Sequence, residues 1–351
     1  MERRLHVRGY DAIRLRSRHA RHRGARPRPG GTPRAGGRTD HRGGTLRHAN
    51  ASGGSDAARC LRRHDRHRHF ASGTACRSIR ERDSLGPLMS ASPSGFLVAD
   101  LGGTKLSLAR VVGGTLQDRS EVATPAQAGP DVVIDCLTDL LTTRLETGDA
   151  CVGIACTGRV VKGVVHAVNL ATMPGWEGVP LAERVAAATG RNVHVLNDAH
   201  AAAYGEWRFG AGRGIGSSFV FVTVSTGIGA GFVTHDQLVT GAHGVAAHVG
   251  FLSSGSPTEP LERRASGTGV ARRAERIRGV PTSARDVVRL ANDGDETMNA
   301  LLEDVAAELG DAFRDVQAML DPACIAVGGG LGLANGMLQR IQRHANVPTT
   351  A

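Results

Sequence analysis

The chain has 351 residues, with 43 Lys+Arg against 33 Asp+Glu, a formal net charge of +10, 40% hydrophobic residues and 3% aromatic ones. The excess charge sits at one end: residues 1–88 hold 22 Arg, no Lys and 7 acids, a net of +15, whereas residues 89–351 hold 21 basic and 26 acidic residues, a net of −5. A basic enzyme surface for nucleic acid or an anionic membrane is thereby excluded, and with no apolar run of about 18 residues and no leader with a cleavage site, neither a membrane span nor secretion is expected; a cytoplasmic location is.

Taken in chain order, residues 1–88 are mostly Arg, His, Gly, Pro and Ala, with Tyr10 and Phe70 as their only aromatics. Without apolar periodicity such a segment cannot bury a core and is expected to be disordered. A nucleic-acid-binding arm and a transit peptide are alternatives, but Arg without Lys reads best as GC-rich DNA translated upstream of the true start. Met89 is then the initiator.

From there the elements are clear. Residues 96–100, 106–112 and 115–122 read as a three-stranded meander, 130–145 as a helix with Val133, Leu137, Leu140, Leu141 and Leu145 on one face, and 151–156 as an apolar strand. A helix over 181–188 precedes a strand at 193–196. That strand delivers Asn197 and Asp198 at its carboxyl end, ahead of an Ala-rich helix at 199–207, the junction where α/β folds place chemistry. A second strand and glycine turn follow at 217–231, then a hairpin to Val239, helices around 264–278, 284–291 and 296–320, a strand at 324–327 and a helix at 334–344. Two β-rich openings predict an α/β fold of two lobes with a cleft between them, a small lobe at 95–198 and a larger one at 199–351. The six cysteines, Cys60, Cys76, Cys136, Cys151, Cys156 and Cys324, show no CxxC or HxxxH spacing and are expected as buried, reduced thiols.

Three glycine turns carry the chemistry. Asp100-Leu-Gly-Gly-Thr-Lys105 puts an acid at a strand end, then Gly102, Gly103, Thr104 and Lys105 in a tight turn, a way to offer N–H groups, a hydroxyl and a cation to phosphate while the carboxylate faces Mg²⁺. By itself it is equally an ordinary hairpin. Ser225-Thr-Gly-Ile-Gly-Ala-Gly231 repeats the arrangement through Thr226, Gly227, Ile228, Gly229 and Gly231, and Gly329 and Gly330 form a third turn, open to nucleotide. Asp198, from its position alone, is either a helix N-cap or a carboxylate aimed into a cleft.

These motifs together with Leu196-Asn-Asp198, Ala265-Ser-Gly267 and Val327-Gly-Gly-Gly330 resemble the ROK family of sugar kinases, over about residues 96–345. The resemblance implies an actin/hexokinase/Hsp70-like, ribonuclease H-like fold with the active site in the interlobe cleft, and ATP with Mg²⁺ near Asp100. It implies phosphorylation of a hexose hydroxyl by a homodimer, with a small-molecule sugar and neither nucleic acid nor membrane as partner. Asp198 becomes the general base toward the sugar O6, and Asn197, Gly158, Arg159, His248 and Glu262 contact the sugar, with 169–176 as a loop over the ring.

Two departures narrow the reading. His248 stands where family glucokinases carry a sugar-contacting Glu, which resembles bacterial N-acetylmannosamine kinases and implies the 6-phosphate of a 2-acetamido sugar, formed in sialic acid breakdown. Phe251 replaces a zinc-binding His, and residues 253–261 contain no cysteine, so no structural zinc is expected and the shortened loop is expected to pack around Phe251. Another ROK hexokinase such as a glucokinase is one alternative. A ROK sugar-sensing repressor is another, disfavoured because residues 1–88 show no helix-turn-helix. Family members also continue past the third glycine turn into a further strand and helix; residues 346–351 read as an early stop, with lower stability expected from the apolar area lost.

Overall fold

The computed structural model describes residues 12–13, 95–169 and 173–345. The segment 1–88 apart from 12–13, with Cys60 and Cys76, the proposed initiator Met89 and the tail at 346–351 lie outside the described residues. Five short strands build the first lobe, β2 (Phe96–Leu101), β3 (Lys105–Val112), β4 (Thr115–Ala123), β5 (Cys151–Cys156) and β8 (Asn192–Asn197), with side chains alternating between buried and open in β2 and β5. They form one sheet in the order β4-β3-β2-β5-β8, with β2, β5 and β8 parallel. The helices α1 (Pro130–Thr142) and α2 (Leu181–Thr189) join Leu97, Leu101, Val152 and Ile154 in its core. Parallel alignment puts the carboxyl ends of three strands side by side, with Leu101, Cys156 and Asn197 in register.

A hairpin of two three-residue strands, β6 (Arg159–Val161) and β7 (Val164–His166), interrupts the expected alternation of strand and helix. Its turn places Lys162 and Gly163 at positive φ, the geometry of a tight two-residue hairpin. Strands this short show no period-two pattern, so only the Lys-Gly pair could have revealed it.

The second lobe repeats the plan. β9 (Ser218–Val224), β10 (Ile228–Thr234), β11 (Gln237–Val239) and β12 (Cys324–Gly328) lie in the order β12-β9-β10-β11, with β12 parallel to β9. The position that β8 fills in the first sheet is filled here by β1 (Ala12–Ile13), an antiparallel pair of residues on Ala326 and Ile325. No strand is drawn in that stretch from sequence.

The β9 strand is buried on both faces, and each face has its own cover. Val220, Val222 and Val224 join a core with α4 (Leu261–Ala265), α5 (Gly267–Arg278), α6 (Ala284–Asn292), α7 (Glu296–Leu320) and α8 (Met337–His344). Phe219 and Phe221 face Ala203 and Trp207 of α3 (Asp198–Phe209). Helix α3 therefore starts at the last strand of the first sheet and covers the second. Two glycines admit it: a Cβ on Gly229 would lie 2.6 Å from Cβ of Ala199, and one on Gly231 would lie 2.5 Å from Cβ of Ala203. Most of the glycine run expected as a turn at 227–231 is thus β10 itself, pressed against α3.

Among the described residues no helix is long and apolar enough to cross a membrane. Cys156 and Cys324 are buried, whereas Cys136 and Cys151 are only half-buried, contrary to expectation. Because a methyl cannot fit between β10 and α3, Gly231→Ala is expected to destabilise the fold by about 1–3 kcal/mol. Adding Ala203→Gly is expected to restore much of the loss, as read by paired thermal melts.

Candidate active site

The junction of β8 and α3 organises the first half of the site. Asn197, not Asp198, is the N-cap of α3: its Oδ1 accepts the His200 N–H at 3.1 Å. The other end of the same amide donates to the Gly158 carbonyl at 2.8 Å and to Oδ1 of Asp198 at 3.0 Å. Asn197 is buried, and its polar groups are engaged in holding the turn and the neighbouring carboxylate. Asp198 also takes the Ala199 N–H on Oδ1, at 2.8 Å. Both of these bonds fall on the same carboxylate oxygen.

Asp198 is reachable by solvent while protein crowds around it. Burial raises its pKa above the ordinary carboxylate value, and the nearby charge of Asp100 adds to the rise against the hydrogen bonds from Ala199 and Asn197. The Asp100 carboxyl is raised as well, first by burial, with Arg119 opposing. Between them the Cys156 thiol, at the end of β5, is pushed up by burial and then by both carboxylates. Two carboxylates at strand ends on either side of β5 suit a site that handles a proton and a cation. Asp100 fits Mg²⁺, which arrives with phosphate and water ligands and needs only one or two carboxylates from protein.

The first glycine turn is tighter than its motif suggests. The Gly102 N–H closes the turn on the Lys105 carbonyl at 3.0 Å, and Lys105 Nζ is paired with Glu121 at 2.6 Å across β3 and β4. Gly103 and Thr104 are the members of the turn that border an open concavity of about 550 Å³, lined also by residues of 124–128. Gly158 has φ +104°, and a Cβ there would come within 2.8 Å of the His166 carbonyl, so only glycine serves.

The second half of the site gathers at the carboxyl end of β9. The Gly267 N–H donates to the Ser225 carbonyl at 2.7 Å, and both the N–H and the hydroxyl of Thr268 donate to the Thr226 carbonyl. These bonds set the N-terminus of α5, capped by Ser266, against the loop at 225–227. From the other side, the N–H groups of Leu331 and Gly332 donate to the Val224 carbonyl, each at 3.0 Å, which folds the third glycine turn over the same strand end. Gly329 lies at φ +84° against that carbonyl, while Gly330 faces open space. Glu262 joins this half, its Oε2 accepting the Ile228 N–H at 3.0 Å.

A loop at 241–248 links the halves. Arg159 Nη1 donates to the His243 carbonyl at 3.3 Å, and Gly244 sits so close to β6 that a Cβ would fall 2.3 Å from the Val160 carbonyl. His248 follows, with a buried Nε2 that has no hydrogen-bond partner. Burial lowers its pKa, with His200 contributing, so the imidazole is neutral at physiological pH.

The loop after it is not packed around Phe251, which is 47% exposed and touches the His248 ring. A buried arginine holds it instead: Arg264 donates to the Ser254 carbonyl at 2.6 Å and the Glu259 carbonyl at 3.2 Å and pairs with Glu308 of α7 at 3.3 Å. Ser254 is further tied to Asp315, at 2.5 Å. The loop offers neither cysteine nor histidine, a donor set that does not fit zinc. No sequence motif marks Arg264 or His200; the one available signal is a polar residue among the apolar positions that its helix buries. Of the proposed ring loop, residues 170–172 lie outside the described residues.

Residues 97–348 match the model of the ROK family. The chain is 38% identical to the bifunctional enzyme NanE/NanK of Brucella melitensis over 255 residues, 72% of this chain and 48% of that protein, so it spans about half the length of that relative. It is 34% identical to the N-acetylmannosamine kinase of Shigella flexneri over 260 residues, 71% of this chain and 87% of the other. Among solved structures, the ROK hexokinase of Thermus thermophilus is similar at 29% identity and a TM-score of 0.62, over 71% of this chain and 88% of that one. The fold is accordingly the two-lobed actin/hexokinase-like one.

Lysine cannot reproduce the guanidinium fork that grips two carbonyls and a carboxylate at once. Arg264→Lys is expected to lower stability by about 1–3 kcal/mol and to open residues 253–260 to limited proteolysis.

Proposed function

The chain belongs to the ROK family, and on that premise we propose that it is a sugar kinase transferring the γ-phosphoryl group of ATP to O6 of N-acetyl-D-mannosamine. The observation that carries the choice of sugar is His248, whose buried Nε2 lacks a partner inside the protein. Such an atom calls for a ligand group, and a neutral imidazole can donate to or accept from an acetamido group. The identities to relatives named N-acetylmannosamine kinase support the same sugar. Glu262, anchored to the Ile228 N–H at the start of β10, would contact the ring beside Arg159 and Gly158.

In this reading Asp198 accepts the O6 proton as O6 attacks the γ-phosphorus; the bond to the β-phosphate oxygen breaks, and ADP and the sugar 6-phosphate leave. The proton then passes to water. The turn at Gly103 and Thr104, the loop at Thr226 and Gly227 and the turn at Gly330 would receive the phosphates and nucleotide. Asp100 would hold Mg²⁺, which neutralises charge on the phosphates. Asn197 acts through Asp198 by fixing its orientation. A homodimer and a cytoplasmic location belong to the same proposal.

Coupled ADP release with MgATP is expected to favour N-acetylmannosamine over glucose and N-acetylglucosamine; preference for glucose would reject the sugar assignment. Asp198→Asn should still bind sugar but lose at least about 100-fold in turnover, and near-normal turnover would remove Asp198 as the base. The base works only when deprotonated and its pKa is raised, so kcat/KM should fall with decreasing pH along a limb displaced above the ordinary carboxylate value. A limb at or below about 4 would contradict this.

A further inference from the structure

We infer that His200 is a positioning residue that sets the conformation of the 241–248 loop and, through it, the affinity for sugar. The inference rests on the proposed kinase reading for its ligand, though not for its structural half. His200 lies two residues beyond Asp198 on α3, which turns it about 200° away around the helix; it acts on the loop and not on the reacting atoms. Its side chain is buried at 2% exposure. The ring Nε2–H donates to the Ala246 carbonyl at 2.9 Å, and the ring packs edge-on against His248, with centroids 5.4 Å apart and planes at 67°.

Between these two anchors stands Ala247, at φ +59°. A residue with a Cβ does not choose the left-handed region unaided. The strain is maintained because the carbonyl before Ala247 is pinned by His200 and the ring after it is packed on the same imidazole. On the far side Gly244 abuts the Val160 carbonyl and Arg159 holds the His243 carbonyl, so the loop is clamped between α3 and β6. His200 is the α3 side of that clamp, joining the helix that begins with the proposed base to the residue proposed to select the sugar.

The test separates donor from ring. His200→Phe keeps the ring and loses the donor; His200→Gln keeps an N–H at nearly the same reach. Amide hydrogen exchange of the sugar-free protein is expected to rise across 241–249 in His200→Phe, with α5 unchanged, and to return toward wild type in His200→Gln. Unaltered exchange at 241–249 would overturn the inference whatever the sugar proves to be. In kinetics, His200→Phe is expected to raise KM for the preferred sugar by roughly tenfold, with kcat and KM for ATP within about twofold of wild type and rescue by Gln.

Equal losses in kcat and in KM for ATP, without rescue, would reduce His200 to a core residue and overturn it as well. If wild type turns over glucose in preference, the sugar assignment fails, while the His200 experiment runs on glucose with the same expected split. If it turns over no sugar, the exchange measurement still decides the loop. Should His200→Phe not fold, His200→Asn, too short to reach Ala246, replaces it with the same expectations.

Discussion

The site depends first on how closely α3 can approach β10. Ala199 and Ala203 sit where Cβ atoms on Gly229 and Gly231 would be, so the helix rests on strand backbone. That contact carries two consequences. It buries the outer face of β9, where Phe219 and Phe221 meet Trp207, and it fixes the helix whose first residue is Asp198 to the sheet whose strand ends carry the 225–227 loop. A helix held by bulky side chains would stand farther off, and the carboxylate with it. Small residues on both partners convert packing density into placement of a functional group.

Around that contact, backbone hydrogen bonds do most of the assembly. Asn197 ties β8 to the Gly158 turn, Gly267 and Thr268 tie α5 to 225–226, Leu331 and Gly332 tie the third turn to Val224, and Glu262 ties α4 to Ile228. Each joins segments distant in sequence at a strand end, where main-chain groups have no sheet partner and must find another. Burial raises the pKa of both Asp100 and Asp198, and the Asp100 charge adds to the rise at Asp198, a cost that a bound cation and a substrate hydroxyl would relieve.

Specificity has a different support. The 241–248 loop has little regular structure, and its shape comes from clamps on both sides and from one alanine in the left-handed region. The following loop is organised by Arg264 gripping carbonyl oxygens, so hydrogen bonds from one guanidinium do what a tetrahedral metal does elsewhere: they fix several backbone points to one centre.

Much of this was legible in the amino-acid order. Apolar runs located β2, β3, β5 and β9, helical spacing located α1, and the glycine and acid motifs marked turns that the fold brings to strand ends, because these are local properties: an apolar run between turn residues, period 3.6, and freedom of φ. Tertiary structure decided the rest. That Gly229 and Gly231 admit α3, that Asn197, which caps that helix, also holds the Gly158 carbonyl, that Lys105 pairs with Glu121, and that Arg264, paired with Glu308, steadies the loop beyond His248 all depend on neighbours that are remote in sequence. A side chain's chemistry is set by its residue type, but what it touches is set by packing, and no local pattern encodes that.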